Sequence, residues 1–191
     1  MAALSFTIRP AQPSDREWAA ALMTRSEPCV TLGRTLDASW ASVIDAECQA
    51  FVADQDGDPL GFLILDPRGV ADAPHIKSVG VRDGVRGRGG SRLIEHTETI
   101  CIQDGARDLF LCVSSFNSRA LYERVGYELI GELSDFVIAG VLSVLRKRLG
   151  GESLDSAAST VCRASVVKQP TCSDWSRNIT IQRTKTSGGR T

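Results

Sequence analysis

Two apolar runs, Gln49 to Asp54 and Leu60 to Leu65, flank the short link Gln55-Asp56-Gly57-Asp58-Pro59. Asp-Gly in so tight a link is a hairpin signal, because both residues accept the positive φ that a two-residue turn requires. Strands joined this way must be antiparallel neighbours. The chain therefore cannot fold as a wholly parallel, doubly wound sheet, whatever its other segments do.

The remaining periodicities fill in around that hairpin. Ser5 to Arg9 alternates as a strand does. Pro13-Ser14-Asp15 opens an amphipathic run with Trp18, Ala21 and Leu22 at helical spacing, and Asp37 to Ala46 reads as a second helix. Ile76 to Arg82 is a further strand, and Ser91 to Gln103 a helix that stops before Gly105. Leu109 to Val113 reads as a buried strand and Ser118 to Val125 as a short helix closed by Gly126. Tyr127 to Gly131 and Asp135 to Arg148 give the last two strands. The predicted order is β α α β β β α β α β β. That is an α/β (α+β) arrangement with a mostly antiparallel sheet that crosses over once in its middle.

Between a strand and a helix start lies VRDGVRGRGGSRL, Val81 to Leu93. A helix N-terminus presents N–H groups without intrahelical partners and a partial positive charge. Gly87, Gly89 and Gly90 let the backbone approach a ligand, and Arg86, Arg88 and Arg92 add donors suited to phosphate oxygens. Together these describe a pyrophosphate cradle. A tight solvated turn would use the same glycines. The stretch is not a P-loop, since no Gly-Lys is followed by Ser or Thr, and GRGGSR is not the GxGxxG of dinucleotide folds.

With its surroundings, IKSVGVRDGVRGRGGSRLI resembles the acetyl-CoA-binding motif of the GNAT superfamily of N-acetyltransferases, falling on Arg86, Gly89 and Ser91. FTIRPAQPSD resembles that superfamily's first strand and helix start, GDPLGFLIL its central hairpin, and FNSRALYERVGYELIGEL its C-terminal block. The resemblance spans about residues 5 to 148. It implies a GNAT-like sheet of six to seven strands flanked by about four helices. It also implies an acetyl-CoA-dependent N-acetyltransferase acting on a primary amine of a small molecule, protein or peptide. Backbone groups of Val79 and Val81 would pair with the pantetheine arm, Arg86, Gly87, Arg88, Gly89, Gly90 and Ser91 would hold the pyrophosphate, and Asn117 would also bind the cofactor. Tyr122 would protonate the leaving thiolate. Three departures stand out: Ser91 replaces the second Gly or Ala, the spacing from Asn117 to Tyr122 is five, and Cys112 stands where some members carry a glutamate. The strand thus offers no base, which leaves Glu27 as first carboxylate candidate and His75 as second. Two other classes remain open: a non-catalytic acetyl-CoA sensor, and an interaction module whose basic loop meets another anion.

The formal net charge of −1 suggests no nucleic-acid partner. No apolar run approaches the ~18 residues of a membrane span, and the N-terminus lacks a signal-peptide pattern. Six cysteines without a CxxC pair and two histidines predict no metal site and point to a reducing, cytoplasmic setting. The partners expected are acetyl-CoA and an amine, with a homodimer left open. Residues 1–149 read as the folded domain. Residues 150–191, with 13 Ser and Thr and no sustained period, read as a disordered extension. Truncation after Gly150 is expected to leave the melting temperature and cofactor binding unchanged in a thermal-shift assay. A drop of several degrees would show a docked element instead.

Overall fold

The computed structural model describes residues 6–85, 89–115, 119–137 and 140–150. The extension predicted from 150 onward, like Arg86, Gly87, Arg88 and Asn117, falls almost wholly outside the described residues. Eleven elements follow the predicted order: β1 (Thr7–Pro10), α1 (Pro13–Thr24), α2 (Leu36–Val43), β2 (Gln49–Gln55), β3 (Asp58–Val70), β4 (Ala73–Val81), α3 (Gly89–Gln103), β5 (Asp108–Ser114), α4 (Arg119–Arg124), β6 (Glu128–Val137) and β7 (Gly140–Arg148). The seven strands form one sheet in the order β1-β2-β3-β4-β5-β7-β6. Every neighbouring pair is antiparallel except β4 with β5.

The predicted hairpin is present, with Asp56 at φ 55° and Gly57 at φ 87°. A second hairpin joins β3 to β4 through Ala71 and Asp72, at φ 50° and 63°. It has no Gly to announce it, which is why β3 runs five residues past the predicted end at Leu65. The boundary between the last two strands also differs from expectation. Asp135 lies in β6, at φ 54° beside a register shift, rather than opening β7. α3 stops as predicted: Gly105 takes φ 80° and the Ala106 N–H donates to the Cys101 carbonyl at 2.9 Å.

β3 is buried on both faces, and its unbroken apolar run Leu60–Leu65 follows from that. Leu63 and Leu65 face a core with Leu93 and Ile94 of α3, Leu111 of β5 and Leu145 of β7. Phe62 and Ile64 face a second core with Ala19, Leu22 and Met23 of α1 and Val43 of α2. Each such aliphatic side chain contributes about 1.5–3 kcal/mol on burial.

One polar network fixes the β1 edge. The Arg9 guanidinium donates to Asp15 Oδ2 of α1 at 2.6 Å and to Asp54 Oδ2 of β2 at 2.8 Å. Asp15 also accepts from the Gln12 N–H at 2.7 Å, capping α1, and Asp54 accepts from the Gly57 N–H at 2.9 Å, holding the hairpin turn. The Arg9 hydrogen bonds pull Asp15 below the ordinary 3.8, and the Gly57 N–H followed by Arg9 does the same for Asp54. Because both folded-state values are lowered, this stabilisation is complete above the ordinary 3.8 and is lost as pH falls through the lower folded values. Arg9→Met is expected to cost about 2–3 kcal/mol by urea unfolding at pH 7, since it strands two buried carboxylates beside a partly exposed cation site. It should also move the acid unfolding midpoint upward. Wild-type stability and an unchanged acid midpoint in that variant would contradict the role given to Arg9.

Candidate active site

β4 is fourth of seven strands in the sheet, yet of its nine residues only Ile76 is buried. The cause is its pairing. β4 and β5 share two rungs, His75 with Phe110 and Ile76 with Leu111, and then diverge. Above them each strand keeps its outer partner: β4 stays on β3 up to Val81, and β5 stays on β7 up to Ser114. The sheet therefore opens as a fork whose inner edges, among the described residues, carry no ladder pairing beyond those two rungs.

A bulge lies at the fork's root. Ile76 pairs with Leu65 and Ser78 with Ile64, leaving Lys77 as the extra residue. The Lys77 ammonium is held by Asp45 Oδ2 at 2.9 Å and lies 3.5 Å from Cys48 Sγ. Beyond the bulge, the Arg82 N–H donates to the Leu60 carbonyl at 2.9 Å. Strand alternation then points the amides of Gly80 and Ser78 at β3 and those of Val79 and Val81 into the fork. The Val79 and Val81 side chains pack against the core under α3.

α3 begins behind the same strand. It starts at Gly89, two residues earlier than predicted, so Gly89 and Gly90 form its first turn and are buried. A Cβ on Gly89 would sit 3.4 Å from Val81 Cγ1, and one on Gly90 3.9 Å from it. Val79, Val81, Gly89 and Gly90 are thus brought together, with Ser91 in the next position of the helix. Arg92 is turned to β1, its guanidinium 5.8 Å over the Phe6 ring and 3.9 Å from Glu95.

Tyr122 is on α4 and half-buried against the α3-side core, edge-to-face with Tyr127 at 6.2 Å between ring centroids. Burial pushes its hydroxyl pKa up from 10.0. Glu27 is exposed, and its carboxylate accepts from the Thr31 N–H at 3.2 Å within its own turn. No side-chain hydrogen bond or ion pair among the described residues joins it to β4 or α4. His75 is half-buried beside the last paired rung, and burial lowers its pKa from 6.5. Cys112 is half-buried on β5, with its thiol pKa raised by burial.

The Acetyltransferase (GNAT) family profile matches residues 15–127. The chain belongs to the GNAT acetyltransferase family. No curated relative matches it by sequence. Among solved structures it is similar to the ribosomal-protein-S18-alanine N-acetyltransferase from Escherichia coli, at 19% identity and TM-score 0.65, covering 81% of this chain and 100% of that one. It is also similar to the aminoglycoside 6'-N-acetyltransferase from Enterococcus faecium, at 15% identity and TM-score 0.64, covering 76% and 98%. A third, an aminoglycoside 6'-N-acetyltransferase complexed with coenzyme A, matches at 16% identity and TM-score 0.64, covering 76% and 98%. These likenesses establish the fold. A seven-stranded, mostly antiparallel sheet with four described helices is the GNAT architecture, as the resemblance implied.

Reading the residues alone missed the bulge at Lys77 and a cluster in which half-buried Lys147 meets buried Glu98 and Tyr127. The second left a trace. Glu98 falls on the apolar stripe of α3 with Ile94, Thr97 and Cys101, where a carboxylate needs a buried partner.

Gly89→Glu tests the helix start as an anion site. Its Cβ meets only Val81 at van der Waals contact, so the melting temperature should stay within a few degrees. If a diphosphate rests on this helix start, coenzyme A binding by calorimetry should be abolished, because a carboxylate would repel it there. Normal affinity in that variant would remove the helix start from the site.

Proposed function

We propose that this GNAT domain transfers the acetyl group of acetyl-CoA to a primary amine of a small molecule, protein or peptide. The observation that carries this reading is the fork. Its open inner edge on β4 suits an extended, strand-like pantetheine arm, and the first turn of α3 beside Val81 suits a pyrophosphate. Val79 and Val81 would pair with the arm. Gly89, Gly90 and Ser91, with Arg86, Gly87 and Arg88 of the preceding loop, would hold the diphosphate, and Asn117 would bind the cofactor near its thiol end. No metal enters the scheme. The free thiols Cys29, Cys48, Cys101 and Cys112 support a reducing compartment, which we take to be the cytoplasm.

The reaction is direct attack of a neutral amine on the thioester carbonyl. The N–C bond forms, the C–S bond breaks, the amine gives up one proton and the thiolate takes one. A lysine-type amine near pKa 10.4 needs ~3.4 units of help at pH 7, roughly 4.6 kcal/mol, while an α-amine near 8 needs about one unit. Past the last shared rung, Lys77–Val81 of β4 and Cys112–Ser114 of β5 carry no carboxylate, and Asp45 at the root is held by Lys77, so the arrangement favours the less basic amine. Glu27, through water, is the base we assign.

Tyr122 is the donor to the leaving sulfur. Burial raises its hydroxyl pKa above the ordinary 10.0 and makes it a reluctant acid toward the departing thiolate. The hydroxyl therefore acts first as a hydrogen bond to the sulfur as charge develops there. It passes its proton late and is reprotonated by the ammonium or by water. Positioning supplies much of the rest, since effective molarity contributes ~7–11 kcal/mol.

An acetyl-CoA titration by calorimetry, followed by thiol release with peptides, polyamines, aminoglycosides and amino acids, tests the proposal. Binding without release for any amine would favour a sensor. With an active amine, Tyr122→Phe should leave acetyl-CoA affinity unchanged and cut turnover ~100-fold. A stable, fully active Phe variant would leave the thiolate to be protonated by water.

A further inference from the structure

Beneath α4 lies a polar cluster that none of these steps uses. Lys147 is on β7 opposite Leu109 and shares a strand face with the fully buried Leu145. Its ammonium donates to Glu98 Oε2 of α3 at 2.7 Å and to the Val125 carbonyl at 2.7 Å, and lies 5.8 Å from the centroid of the Tyr127 ring. Glu98 Oε1 and the Tyr127 hydroxyl are both buried, and neither has a hydrogen-bond partner of good geometry.

α4 has six residues, none of them buried. A helix so short does not support itself, so its anchors decide where it sits. At its N-terminus Arg119 pairs with Glu132 at 3.0 Å and Glu123 at 2.9 Å, all three close to half exposed, where ion pairs hold weakly. At its C-terminus the Val125 and Tyr127 N–H groups both donate to the Tyr122 carbonyl, at 3.1 and 3.0 Å. Gly126 makes that turn at φ 94°, its missing Cβ 3.4 Å from Lys147 Cε. Lys147 thus touches Val125, Gly126 and Tyr127, the segment that fixes both the backbone and the ring of Tyr122.

We infer that Lys147, held by Glu98, is a positioning residue for Tyr122: it caps the C-terminus of α4 and locks that short helix to α3, aligning the hydroxyl with the sulfur. The inference rests on Tyr122 being the donor proposed above.

Lys147→Met alone strands a buried carboxylate, so the informative variant is the neutral pair Glu98→Gln/Lys147→Met, with Lys147→Arg as conservative rescue. The pair should lower turnover ~10-fold or more with acetyl-CoA affinity within about twofold, and Lys147→Arg should keep most of the activity. In a Tyr122→Phe background the pair should cost no more than about twofold further, because both changes remove one function. Losses that multiply in that background, full turnover in the pair, or a matching loss of acetyl-CoA affinity would each overturn the inference. Full activity of Tyr122→Phe alone would instead remove the donor reading. The chain contains just two tyrosines, so ring-labelled tyrosine NMR of the coenzyme A complex follows Tyr122 with no amine present. Unchanged ring signals in the pair would also count against it.

Discussion

The two rungs shared by β4 and β5 are the constraint on which the rest depends. Were the pairing longer, the inner edge of β4 would be saturated and the centre of the sheet closed. Were it absent, the two halves of the sheet would have no common root. The fork stays stable because each arm is supported from outside, β4 by a strand buried on both faces and β5 by seven rungs with β7. N–H and C=O groups without a ladder partner among the described residues then line the inner edges. They must be met by water or by a ligand with strand-like polarity.

Rigidity is unevenly shared across the site. Val79, Val81 and the first turn of α3 rest on the main core, while Tyr122 rides on a helix without a buried residue. On the reading given above, the cofactor would be gripped from the main core, and the donor would sit on a short helix held by Tyr122 and Val125 against that core and by a few polar contacts. Such elements sit at the low end of local stability. On the same reading, a proton donor has to match a sulfur to within tenths of an ångström, which would make the few ties of α4 worth more to chemistry than to folding.

Much of this was legible in the residues. Asp56-Gly57 marked the hairpin, alternation and helical spacing marked every element in order, and the loop after Val81 marked the helix start. What escaped had no local signature. The turn at Ala71-Asp72 uses left-handed non-glycine residues, and the β6–β7 boundary hides behind a bulge at Asp135. The register that ends after Ile76 is a tertiary fact, decided by what packs on β3 and β7. Lys147 reads as one more cation in RKR. Only the pairing with Leu109 turns it inward, toward a glutamate 49 positions away.

Burial raises the pKa of all four described cysteines, to about 11 for Cys48 and Cys101. At neutral pH they are neutral thiols, and only the thiolate attacks a disulfide. On the reading given above, each turnover frees a thiol at a fork one arm of which carries Cys112. A protein that sheds coenzyme A in this way risks capture by it as a mixed disulfide whenever the pool becomes oxidised. Desolvation of these four sulfurs slows that route at each of them, so the core that shapes the fork also shields the thiols packed into it from such a product.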